Sequence, residues 1–483
     1  MKGINPIAAQ IANSPAAKLA AKLADNPMVK AATQMANNPM VKAATRISRI
    51  AQPYAEALQK FSHIEWIGKI PKCWDIVKTK RIFQNNKQVA GKYANDFERL
   101  ALTMNGVIKR DKDDADGLQP ESFEGYQVLE ENQLVFKLID LENVKTSRVG
   151  LSPYTGIVSP AYIVLKNTQV DNRFFYYYYM NMYYQEIFNY MGGEGVRSAL
   201  NAKDLLEVPL PKISMTEQQA IADYLDGECA RIDGIVTTQR QIIERLKEYK
   251  KSVITEAVTR GLNPDAPMKD SGIEWIGKIP EHWEVRRIKT LGEYRNGLTY
   301  NPENMVDESS GTLVLRSSNI QNGKIVLDDN VFVNTIIPEQ LLVHKGDIII
   351  CSRNGSRELV GKNALIKEDI LASFGAFMMI FRTNYPEYIS YILNSAIFSY
   401  YLSTFFTATI NQLTGSNFGN MQIVFCPDLN EQQEIIDYLD KECARIDTII
   451  EKRERMIKLM TEYKKSLIYE CVTGKKEIVD VVE

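Results

Sequence analysis

An internal duplication constrains this chain more than any other feature of its sequence, because whatever fold carries a repeated segment has to present it in the same way twice. Residues 64–71, Ile-Glu-Trp-Ile-Gly-Lys-Ile-Pro, return letter for letter as residues 273–280. All four tryptophans, Trp66, Trp74, Trp275 and Trp283, belong to these octapeptides or follow just after them. A second block, residues 217–235 (EQQAIADYLDGECARIDGI), reappears with few changes as residues 431–449 (EQQEIIDYLDKECARIDTI), and Glu-Tyr-Lys-Lys-Ser recurs at residues 248–252 and 462–466. Each half therefore reads opening motif, long intervening region, helical block.

The intervening regions, about residues 72–211 and 281–427, are rich in short Val, Ile, Phe and Tyr runs broken by Gly, Asn and Pro, which predicts strands with long loops. They share little with each other, so the frame is common and the contents differ. The helical blocks open on start signals: Pro209 and Pro211 precede Thr216-Glu217-Gln218-Gln219, and Pro427 precedes Asn430-Glu431-Gln432-Gln433. Thr216 or Asn430 is placed to cap, with Gln219 or Gln433 reaching back. Further on, Ile242, Leu246, Tyr249 and Val253 are spaced four, three and four apart, matched in the second copy by Met456, Met460, Tyr463 and Leu467. That spacing predicts a coiled-coil seam. Two amphipathic helices each lining its own domain would show the same stripe; duplication in identical phase favours mutual packing. The aromatic run from Phe174 to Tyr179 reads as a buried helix or strand rather than a base-stacking platform, and the tryptophans read as packing anchors.

The segment before His63 is different in kind. Its Ser14-Pro15, Asn26-Pro27 and Asn38-Pro39 steps precede Ala-rich stretches, which suggests a string of short capped helices. Its side chains sum to a positive charge, with Asp25 and Glu56 the only acids. A solvated helical arm and a contact with DNA or a partner subunit are both open. The whole chain of 483 residues carries a formal charge of -2, so any nucleic-acid surface has to be a local clustering of Lys and Arg. Its length calls for two or three domains. The six cysteines form no C-x-x-C pair and there are only three histidines, which argues against a zinc site or disulfide framework. No apolar run approaches a membrane span, and a cytoplasmic location is expected.

This layout resembles the specificity subunits of type I restriction-modification systems. The resemblance rests on the paired E-W-I-G-K-I-P-x-x-W openings, the paired E-Q-Q-x-I-x-D-Y-L-D-x-E-C-A-R-I-D helices and the paired E-Y-K-K-S segments, over about residues 64–476. It implies an α+β fold: two mixed α/β target-recognition domains separated by two long antiparallel coiled-coil helices, with a pseudo-two-fold internal repeat and, outside the resemblance, the N-terminal helical arm. The corresponding boundaries are residues 1–62 for the arm, 63–208 for the first recognition domain, 209–262 for the first helical spacer, 263–427 for the second recognition domain, and 428–483 for the second spacer and tail. It further implies a non-catalytic subunit that reads a bipartite, asymmetric site on double-stranded DNA. Its partners would be two methyltransferase subunits and restriction (helicase-nuclease) subunits. The repeated segments would then be scaffold and docking surface, with Ile242, Leu246, Tyr249, Val253, Met456, Met460, Tyr463 and Leu467 forming the coiled-coil contact.

Bases are read by Arg, Lys, Asn and Gln reaching groove edges from loops or helices, while other basic and hydroxyl groups hold phosphate. In the first region the candidates are Lys145, Ser147, Arg148, Tyr154 and Arg197. In the second they are Arg316, Ser317, Asn319, Arg353, Asn354, Arg357, Asn411, Gln412 and Asn417.

Catalytic signals are missing where an enzyme would need them. There is no N/D-P-P-Y/F tetrapeptide, Gly192-Gly193-Glu194-Gly195 is too slight for a cofactor turn, and no G-x-x-x-x-G-K-S/T loop is present. Pro427-Asp428 and Glu462-Tyr463-Lys464 imitate a nuclease pattern, but the latter lies far along the predicted helix. No cofactor is therefore expected on this chain; the resemblance implies S-adenosylmethionine in the methyltransferase partner, and ATP and Mg in the restriction partner. The competing readings are a coiled-coil interaction scaffold that does not read DNA and a self-contained DNA methyltransferase.

Overall fold

The computed structural model describes residues 59–478 apart from residues 86, 114–119, 140, 142–147, 168, 192–198 and 406–410. The expected N-terminal arm thus lies almost wholly outside the described residues. Two compact units emerge, one gathering residues up to Gln239 with those from Arg455 onward, the other being Arg240–Glu454. The division passes through the middle of each long helix.

In the first unit, strands Gln84–Asn85, Ile163–Lys166, Leu134–Lys137 and Arg148–Leu151 lie in that spatial order in an antiparallel sheet. A second sheet runs Gly106–Arg110, Arg99–Thr103, Gly156–Val158, Gln127–Leu129, its middle pair parallel. Asp75–Lys78 pairs with Pro209–Lys212, so the first strand after Trp74 meets the last before the first long helix and closes the domain. The aromatic run forms helix Asn172–Tyr184, started by Asp171, whose side chain accepts from the Arg173 N–H. Phe174, Phe175, Tyr178 and Tyr179 on it are fully buried, which bears out their reading as core.

The second unit repeats this order with unrelated residues. Gly292–Asn296, Met378–Thr383, Ile348–Cys351 and Asn363–Leu365 form the first sheet, and Glu284–Arg287 with Gln422–Phe425 forms the closing ribbon. Its other sheet runs Met305–Val306, Phe332–Val333, Thr312–Leu315, Ala372–Phe374, and here too one antiparallel neighbour is followed by one parallel neighbour. The fourth strand is added at opposite edges in the two units. No helix among the described residues is long and apolar enough to cross a membrane.

The two long helices are Met215–Arg260 and Leu429–Val472. Their caps differ from the expected ones. Ser214 Oγ accepts from the Glu217 N–H, and Asp428 Oδ1 accepts from the Asn430 and Glu431 N–H groups, so each helix starts before Thr216 and Asn430. The reason is the neighbouring glutamine: Gln218 and Gln432 are buried and donate to the Ile213 and Cys426 carbonyls, which fixes the helix register one side chain away from Gln219 and Gln433. Ser214→Ala and Asp428→Ala should each lower stability by about 1 kcal/mol in urea unfolding, whereas Thr216→Ala should have no such effect.

At their far ends the helices stop on glycines in the left-handed region, Gly261 at φ 71° and Gly474 at φ 67°. Gly474 packs against Pro71 and Trp74, and Gly261 against Trp283. The domain in each unit is therefore closed by the end of the helix that does not follow it in the chain. Within the first unit Lys464 Nζ meets Asp233 at 2.6 Å, and within the second Lys250 Nζ meets Asp447 at 2.7 Å. An early helical residue joins a late one in both cases, so the paired segments are antiparallel.

The expected seam is only partly buried. Val253 and Leu467 are core residues, Ile242, Leu246, Tyr249, Met456 and Met460 are half-buried, and Tyr463 is 44% exposed. Ile254 and Ile468 are buried beside Val253 and Leu467, because toward its end each helix packs against a whole domain rather than against one partner helix.

Candidate nucleic-acid interface

The loops of the second unit come together although they are far apart in sequence. Asn354 Nδ2 donates to Ser317 Oγ at 3.2 Å, Asn411 Nδ2 donates to the Gly355 carbonyl at 3.3 Å, and Arg353 and Gln412 form an isolated antiparallel bridge. Arg353 and Arg357 are exposed, while Asn354, Asn411, Gln412 and Asn417 are half-buried. Arg357 opens a short turn, Arg357–Leu359, and Asn417 gives its N–H to the capping Thr414 hydroxyl. Arg316 is committed to Asp329 at 2.9 Å, so a phosphate or base would have to displace a carboxylate. Asn319 is fully buried and its amide donates toward Val326, Asp329 and Asn330, so it shapes the loop and cannot reach a base.

In the first unit Lys145, Ser147 and Arg197 lie outside the described residues. Arg148 sits opposite Lys137 across two strands, and Tyr154 is partly exposed beneath Lys109, whose Nζ is 5.2 Å from the ring centroid. Two further cations were not legible as loop residues, because they occupy strands: Arg99 and Arg110 are direct cross-strand partners. Like charges placed opposite each other are unfavourable; Arg99 is buried and lies 5.5 Å from the Phe123 centroid. Burial, with Tyr126 nearby, pushes the Tyr162 phenol up, against the opposing pull of Arg148, Arg99 and Arg110.

The frame beneath these loops is built from the repeats. Trp74 Nε1 donates to Glu217 at 2.8 Å and Trp283 Nε1 to Glu431 at 3.1 Å, tying each opening motif to the start of the following helix. Burial opposes charge on Glu431, but donors on His282, Trp283 and Cys426 hold its carboxyl below the usual range. Cys426 itself is buried and pushed up, which makes it a neutral thiol and not a nucleophile. Among the described residues no group of His, Cys, Asp and Glu is arranged to hold a metal ion.

The model of the type I restriction modification DNA specificity domain matches residues 74–248 and again residues 280–459, together well over half of the chain. The chain belongs to this family. Among curated members of the specificity-subunit class, it is 29% identical over 205 residues to the type I restriction enzyme StySPI specificity subunit of Salmonella potsdam. It is 28% identical over 206 residues to the EcoKI specificity subunit of Escherichia coli (strain K12). Each match takes in 41% of this chain and 44% of the relative, so the chain is matched to less than half of their length. A solved chain from work on complex assembly and conformational transition of the type I R-M system covers 84% of this chain and 99% of its own length, with a TM-score of 0.61 at 13% identity; that likeness shows the fold. Members of the specificity family are non-catalytic, in keeping with the missing cofactor and nucleotide motifs.

Two matches of one specificity-domain model in one chain give the duplication its meaning. Each copy carries one domain and the first part of the long helix after it, and the two domains differ throughout while the segments that frame them repeat. Phe377, 58% exposed beside Arg353, was missed because nothing in its local sequence distinguishes it from the strand Met378–Thr383 that it precedes.

Proposed function

We propose that this chain is the DNA-specificity subunit of a type I restriction-modification complex, reading one half of a bipartite, asymmetric double-stranded site with each recognition domain. What supports the reading is that one four-stranded antiparallel sheet order and one closing ribbon occur in both units, with an isolated bridge two residues past the equivalent strand in each, joining Ile139 to Ala199 in one and Arg353 to Gln412 in the other. Base edges carry the sequence information, so different side chains on one frame read different bases. Two methyltransferase subunits dock on the duplicated helical surfaces, because the same partner on two equivalent surfaces needs the same residues twice. Restriction subunits complete the assembly. S-adenosylmethionine belongs to the methyltransferase, and ATP and Mg to the restriction subunit.

Exchanging residues 72–208 for the matching region of a relative should change one half of the recognised sequence and leave the other intact. Sequencing of modified bases in cells carrying the parental or exchanged gene reads this directly. A change in both halves, or in neither, would count against independent reading domains.

A further inference from the structure

Each recognition domain tethers two of its loops by one isolated bridge at the same place in the fold. In the second domain the bridge joins Arg353 to Gln412, two residues past strand Ile348–Cys351, and the Leu413 N–H donates to the Ser352 carbonyl at 2.7 Å. In the first it joins Ile139 to Ala199, two residues past strand Leu134–Lys137, and the Leu200 N–H donates to the Leu138 carbonyl at 3.0 Å. The residue just before the neighbouring strand is Phe377 in the second domain and Tyr162 in the first. The backbone device is shared, but one domain puts a cation and an amide there and the other puts two apolar side chains. That is the pattern required of a position that reads a different base in each half-site.

Arg353 is poised for such a reading. Its guanidinium lies 5.3 Å from the centroid of the exposed Phe377 ring, and both the Ser352 and the Arg353 N–H donate to the Phe377 carbonyl. Among the described residues its side chain makes no hydrogen bond or ion pair, whereas Arg316 is held by Asp329 and Arg382 by Asp347. This cation–π contact holds the guanidinium over the ring and leaves its N–H donors unspent. A planar, pre-oriented pair of donors matches the O6 and N7 acceptors that guanine shows in the major groove. Resting on the reading that this unit binds DNA, we propose that Arg353, seated on Phe377 and tethered to Gln412, reads a guanine in the second half-site, with Phe377 as its positioning residue.

Site selection by the full-length chain from randomised duplexes tests this. Arg353→Ala should lower discrimination for guanine at one position of the second half-site by about 5- to 150-fold, and leave the first half-site unchanged. Arg353→Lys keeps the charge and should relax the same position without changing non-specific affinity. Phe377→Leu should cost about 2- to 5-fold at that position alone, and Phe377→Tyr should restore it. If Arg353→Ala weakens all sequences equally and lowers the salt slope by about 1, the residue holds phosphate and the proposal fails. A parental site that survives both arginine variants with every position intact also overturns it, while leaving the DNA-specificity reading standing. A parental chain that selects no sequence at all overturns both.

Discussion

A chain ending at Gln239 is expected not to fold, although it contains the whole first recognition domain and the start of the helix that follows. The core of that domain is completed from the other end of the sequence: Leu467, Ile468, Cys471 and Val472 are all at most 1% exposed within it. Burying the three aliphatic side chains alone contributes about 5–9 kcal/mol, as an upper estimate against an extended unfolded chain. That is comparable with the entire stability of an ordinary domain, about 5–15 kcal/mol. The truncation also strips Asp233 of Lys464 and Tyr224 of Lys476. By contrast, Arg240–Glu454 holds its own domain, the helix end that closes it and the helix start that leaves it in one continuous stretch. It should unfold cooperatively in urea by itself. Adding a peptide of residues 455–478 to the truncated first unit should restore a cooperative transition. A sharp transition for the chain ending at Gln239 without the peptide would show that the helix end is dispensable, against the packing seen around Trp74.

What the sequence disclosed and what it hid divide along one physical line. Patterns that repeat or recur at helical spacing are local, and these gave the duplicated frame, the two long helices and the buried aromatic run. The helix caps were displaced because Ser214 and Thr216, or Asp428 and Asn430, are equally good cappers two residues apart. The choice goes with the burial of Gln218 and Gln432, which donate to the Ile213 and Cys426 carbonyls just before each helix, and Gln218 also accepts from the Asp171 N–H far away in the chain. Spacing places the seam but not its depth: Val253 and Leu467 reach the core while Tyr463 stays 44% exposed, because the packing surface changes from helix to domain along the helix. Among the DNA candidates, local composition could not tell Asn319, which is consumed by its own loop, from Arg353, which is uncommitted. Nor could it find Arg99 and Arg110, since only strand pairing makes them neighbours. The convergence of the loops around 317, 354 and 411 depends on contacts between residues far apart in the chain, which no short-range pattern encodes.

The first unit should also lose its stability steeply in alkali. Tyr177, Tyr178 and Tyr179 are buried side by side on one helix, and burial pushes all three phenols above their ordinary value; the bond that the Tyr177 hydroxyl donates to Asp226 adds to the effect. Tyr176 beside them is pushed up to about 12, again by burial first. These groups stay neutral in the folded chain and ionise near pH 10 in the unfolded one. Their contribution is therefore complete below pH 10 and is lost as pH rises toward the folded values. For three phenols the loss is about 4 kcal/mol per pH unit above 10. The buried thiols of Cys229 and Cys471, pushed up by burial to about 11 and about 12, add to it from pH 9 upward. Urea unfolding followed by tryptophan emission at pH 8, 10 and 11 measures the slope. The decisive variant is Tyr179→Phe, because Thr79, which shares a 2.9 Å hydrogen bond with the Tyr179 hydroxyl, still donates to the Val208 carbonyl when that hydroxyl is gone. At pH 8 the variant should be less stable by about 1 kcal/mol, the value of a typical hydrogen bond. By pH 11 the parent has lost about 1.4 kcal/mol through this phenol and the variant none, so the order of stability should reverse. If the two curves run parallel from pH 8 to 11, Tyr179 is open to solvent in the folded protein and the aromatic helix does not form the core of the first recognition domain.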